Sequence, residues 1–194
     1  MDYHEKKFSV SPQERRQQEK IRTERTHNLL RAFIQLAINE SAHNIEEHVL
    51  RLHTRDISTV VFGGRPHYTL FDETQFLSVQ AFQNIATELL HQNQRISFDD
   101  AGTYNRRIKI ILHSSRELGQ VFTYKNYIEA NHLINTGRRN DVKRAGKSGK
   151  TLVLIIDSKS GIVEEIRGMI NGTHPIPEDV DGYAPEIITA FLER

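Results

Sequence analysis

Residues 144–157 read Arg144-Ala145-Gly146-Lys147-Ser148-Gly149-Lys150-Thr151-Leu152-Val153-Leu154-Ile155-Ile156-Asp157. The apolar run from Leu152 to Ile156 leaves no polar face, which is the pattern of a strand covered on both sides. Asp157, Ser158, Lys159, Ser160 and Gly161 supply turn chemistry directly behind it. Ile162 to Ile166 then reads as the returning strand of a hairpin. Thr151 to Asp157 is therefore expected at the centre of a mainly antiparallel sheet, whose other strands and cover must come from the rest of the chain.

Upstream, Ser58–Phe62 and His67–Phe71 flank Gly63-Gly64-Arg65-Pro66 and read as a second hairpin. Ile96 and Phe98 suggest a short strand, with a turn at Asp99-Asp100-Ala101-Gly102. Arg106–Leu112 has Ile108, Ile110 and Leu112 on one face, and Gln120–Tyr124 reads as a further strand. Between the hairpin and these strands, Phe76, Val79, Phe82, Ile85, Ala86, Leu89 and Leu90 trace one stripe of a helix ending near Gln92, with Asp72 and Gln75 placed as a capping box. A weaker helix is expected over Asn126–Ile134, and a short one over Pro185–Arg194.

At the other end, Ser11, Pro12 and Glu14 form a helix start: a cap, a proline in the first turn, and a carboxylate three residues after the cap. The first half of that helix, Gln13–Asn28, is almost wholly polar, whereas Leu29, Leu30, Phe33, Ile34, Ala37 and Ile38 form a stripe. Asn44 and Glu47 suggest a cap for a second helix that ends near Arg55. Helices come early and hairpins late, so the fold class is α+β, with an N-terminal helical segment and one long amphipathic helix packed on a mainly antiparallel sheet. The expected organisation is a helical arm over residues 1–55 and a core over residues 56–194, together one compact unit.

Composition narrows the chemistry. The chain has 194 residues, no cysteine and a formal net charge of +1. Thiolate zinc sites, disulfides and cysteine nucleophiles are excluded. No signal-like h-region opens the chain and no apolar run approaches membrane-spanning length, so a soluble, cytoplasmic protein without membrane contact is expected. His43, His48 and His53 recur every five residues, about 140° apart around a helix, and cannot ligate one metal from one face. No metal or cofactor is expected.

Gly149-Lys150-Thr151 has the ending of a nucleotide-binding phosphate loop. That loop needs a glycine at position 144, where Arg144 stands, and a helix after it, where a strand stands. The same segment carries a plainer signal. From Gly137 to Thr151 six basic residues (Arg138, Arg139, Lys143, Arg144, Lys147, Lys150) face one acid, Asp141, so this stretch holds +5 in a chain of +1. A glycine-jointed cationic loop suits a polyanion, with nucleic acid, RNA or single strands as the leading expectation. Arg15, Arg16, Lys20, Arg22 and Arg25 add a second basic cluster on the first helix.

Two alternatives stand beside it. His113, Arg106, Arg116 and Tyr104 supply the residue types of a small metal-independent ribonuclease or toxin-like enzyme, with the imidazole as base or acid and a guanidinium on the phosphate. The polar helix over residues 12–28 could instead dock a protein partner.

Overall fold

The computed structural model describes residues 10–51, 56–62, 64–101, 106–159 and 161–194. Among them the strands form two four-stranded antiparallel sheets in an α+β fold. One sheet has the order β1-β2-β5-β6, from Ser58–Phe62, Arg65–Phe71, Gly119–Phe122 and Lys147–Gly149. The other has the order β3-β4-β7-β8, from Ser97–Asp100, Arg107–His113, Thr151–Asp157 and Glu186–Glu193. As expected, β7 is central, and six of its seven residues are buried.

Helix α1 (Pro12–Glu40) begins as its sequence dictates. The Ser11 hydroxyl accepts from Glu14 N at 3.2 Å, and Glu14 Oε2 accepts from Ser11 N at 2.8 Å. The stripe from Leu29 to Ile38 enters the main core together with Ile108, Ile110, Leu152 and Leu154 from the sheet. Helices α3 (Val79–Gln92) and α6 (Ile162–Asn171) bury Phe82, Leu89, Ile166 and Met169 in the same core. Burying a large aliphatic or aromatic side chain is worth about 1.5–3 kcal/mol, which is why these stripes hold the helices against the sheet. The opposite face of the second sheet packs Val153, Ile155 and Phe191 against Val60 and Phe62 of β1.

Several local expectations are overturned. Ile162–Ile166 is the first half of α6 and not a strand: Ile162, Val163, Ile166 and Met169 recur at helical spacing, and Glu164 and Glu165 favour the positive end of a helix. Pro185–Arg194 is not a helix, because Glu186–Glu193 pairs along the free edge of β7. The chain just after α1 fixes it there: Ser41 Oγ accepts from Ile187 N at 2.7 Å and Asn44 Nδ2 donates to Ile187 O at 3.0 Å.

Asn44 thus serves β8 and does not cap α2 (Ala42–Asn44), which continues as a π-helical stretch over Ile45–Leu50. The expected end of that helix near Arg55 lies outside the described residues. Helix α3 is capped by Ser78, whose hydroxyl accepts from Ala81 N at 3.1 Å. Asp72 instead closes a tight turn, accepting from Thr74 N at 2.9 Å. Asp99 and Asp100 belong to β3, opposite Lys109 and Ile108, and not to a turn.

Candidate nucleic-acid interface

The basic segment is a folded unit and not a loop. Thr123 caps α4 (Tyr124–Asn135), accepting from Asn126 N at 3.3 Å, and Gly137 ends it at φ +75°. Residues Arg139–Ala145 then form α5, and Lys147–Gly149 forms β6 on the edge beside β5. Two sequence features account for this. Val142 is an apolar anchor, 1% exposed, that packs with Tyr68, Phe122 and Ala130. Gly146 lets the chain pass over β5: a Cβ there would lie 2.9 Å from the Gln120 and Phe122 side chains.

All six candidate cations are exposed, but their surroundings divide them. Arg138 pairs with Asp141 at 2.8 Å, and Arg144 approaches the same carboxylate at 3.8 Å. Arg139 lies 4.0 Å from Glu73. Burial pushes the Asp72 carboxyl up, yet bonds from Thr74 and Gln75 and the charge of Lys143 together hold it below its ordinary value. Arg139 and Lys143 therefore face carboxylates across a cleft of about 230 Å³ that Asp72, Glu73 and Glu117 also line. Among the described residues no carboxylate pairs with Lys147 or Lys150. Lys150 sits where the two sheets join, its N donating to Glu193 O at 3.1 Å and its O accepting from Ser114 N at 2.8 Å.

The three ribonuclease candidates among the described residues are not gathered. Arg106 precedes β4, donating to Ser158 O and Asp157 Oδ2, each at 3.2 Å. His113 ends the same strand, about 23 Å away by the rise of an extended chain. Arg116 pairs with Glu88 at 3.2 Å, and Tyr104 lies outside the described residues. His113 itself is firmly placed. Asn93 Oδ1 accepts from its N at 3.1 Å and Asn93 Nδ2 donates to its O at 2.9 Å. Its Nδ1 lies 3.2 Å from Thr151 Oγ1, which donates to Arg194 O at 3.0 Å. With the hydroxyl proton committed to that carbonyl, Nδ1 is the donor in its contact with Thr151 Oγ1.

No known protein family, curated protein or solved structure matches the chain. The site must be judged on its own chemistry.

The basic face of α1 is partly engaged in packing. Arg22 Nε donates to Ile170 O at 3.0 Å, and Arg31 donates to Leu90 O at the end of α3 and to Asn93 O and Gln94 O just beyond it, the last at 2.9 Å. Residues 10–21 are exposed throughout. Among the described residues no group of three or more His, Asp or Glu side chains is arranged to hold a metal ion, and no helix is long and apolar enough to cross a membrane.

The sequence did not reveal the acidic wall facing α5. Asp72, Glu73 and Glu117 are more than forty positions apart at their extremes, and only the β2–β5 pairing brings them together. The nearest local signal was Asp72-Glu73-Thr74, which marks a side-chain-closed turn and carries no hint of what lies across it.

Proposed function

We propose that the protein binds nucleic acid, RNA or single strands in preference, through the outward side of α5, β6 and the β6–β7 junction. The observation that carries this reading is a local charge excess on an ordered surface: Arg138, Arg144, Lys147 and Lys150 are exposed, and among the described residues the carboxylate ion-paired with any of them is Asp141, which meets Arg138 and Arg144. Holding cations on a helix and a paired strand lowers the ordering cost of each phosphate contact. Arg139 and Lys143, turned towards Glu73 and Asp72, contribute less. The test is binding of a fluorescent single-stranded oligonucleotide as salt is raised. Replacing the four outward cations with Ser should abolish most of the affinity, while Arg139→Ser should have a smaller effect.

One observation favours a second contact surface. The first ten residues of α1 are exposed and make no core stripe, so Pro12–Ile21 offers a polar helix face to a protein partner. The boundary falls at Ile21 because Arg22 is bonded to Ile170 O and Thr26 is buried. Deleting residues 1–21 should leave thermal unfolding nearly unchanged and remove partner capture in co-purification; a large loss of stability would contradict this.

A further inference from the structure

We propose that the cleft between α5 and the β2–β5 edge is a binding site for a free α-amino acid with an apolar side chain. The two charged walls are of opposite sign. Arg139 and Lys143, one helical turn apart on α5, supply two cations. Asp72, Glu73 and Glu117 oppose them with three carboxylates. An anion such as phosphate would meet three like charges, and a diamine would meet two. A zwitterion satisfies both walls, its carboxylate towards α5 and its ammonium towards the carboxylates.

The apolar part of the cleft lining is Leu70 and Val142, which suits an aliphatic side chain. Its volume of about 230 Å³ is smaller than a drug-sized pocket of roughly 300–1,000 Å³, so the occupant must be small.

Two details show that the acidic wall is positioned. Gln120 Nε2 donates to Glu117 Oε1 at 2.7 Å, fixing that carboxylate. Gln75 Nε2 donates to Glu117 O at 2.9 Å and reaches Asp72 Oδ2 at 3.5 Å, tying the Glu117 backbone to the Asp72 carboxylate. The site is separate from the four outward cations, so nucleic-acid binding and amino-acid binding can fail independently.

The experiment is isothermal titration of the full chain with L-leucine, with 4-methylpentanoate and isopentylamine as probes that each keep one of its charges. Saturable heat is expected for leucine, with both probes at least about tenfold weaker, the equivalent of one lost charged contact. Lys143→Ala and Glu117→Gln should each weaken leucine about tenfold with circular dichroism unchanged. No saturable heat for leucine, a single-charge probe binding as tightly, or both variants binding like the parent would overturn the proposal. The probe comparison uses the unaltered protein and so does not depend on either variant folding.

Discussion

His67 on β2 packs in a tilted arrangement against Phe191 with ring centroids 4.4 Å apart and lies 3.9 Å from Glu193 Oε1, at the joint between the two sheets. Burial pulls its imidazole below the ordinary value of 6.5; Glu193 acts the other way, and Lys109 and Arg65 add to the lowering. Because the folded state resists the proton that the unfolded chain accepts, this contribution to stability is complete above pH 6.5 and is lost as pH falls below it through the lower folded value. The urea midpoint of the parent should therefore drop more between pH 7.5 and 5.5 than that of His67→Gln. Equal drops would show that His67 has no part in the acid response. Gly119 presents a steric constraint of a different kind: a Cβ there would strike Leu70 O and lie 2.9 Å from Phe71 Cα. Both atoms are backbone and cannot step aside, so Gly119→Ala should destabilise by about 2–4 kcal/mol, read as a shift in denaturant midpoint. A neutral substitution would mean that the β2–β5 ladder is looser than described.

Helix α1 separates local helix signals from tertiary packing. Its cap was legible because Ser11, Pro12 and Glu14 act within one turn, and bonds from the Ser11 N–H and hydroxyl hold the Glu14 carboxyl below its ordinary value. Ser11→Ala should speed amide hydrogen exchange in residues 12–21 and leave exchange in residues 29–38 unchanged, because only the latter are anchored in the core. Faster exchange along the whole helix would refute that division. Elements whose identity depends on a distant partner were harder to read. Glu186–Glu193 is almost continuously apolar from Ile187 to Leu192, which fits a buried helix or a buried strand equally; pairing with β7 decides between them. Ile162–Ile166 begins with two β-branched residues, and only Met169, three residues beyond the window, completes the helical stripe. In the basic segment, one buried valine and three residues of edge pairing outweigh its polar, glycine-punctuated composition.

Across the whole molecule, the central strand, the hairpin of β1 and β2 and the α+β class were legible because they rest on an unbroken apolar run, a glycine turn between two strand-like runs and the order of elements along the chain. The candidate site was legible only as a list of cations. Its division between Arg139 and Lys143, which line the acidic cleft, and Arg138, Arg144, Lys147 and Lys150, which do not, follows from where β2 and β5 place Asp72, Glu73 and Glu117. That division makes the central claim quantitative. Four phosphate contacts on a single strand imply a log–log salt slope of about −2.8, so affinity should fall about fiftyfold between 50 and 200 mM salt. The direct measurement is fluorescence anisotropy of a labelled single-stranded RNA at those two concentrations, with the parent and with Arg138, Arg144, Lys147 and Lys150 all changed to Ser. The account predicts tight, steeply salt-dependent binding by the parent and near-complete loss in the variant; no binding at 50 mM, or equal binding by the two proteins, would contradict it.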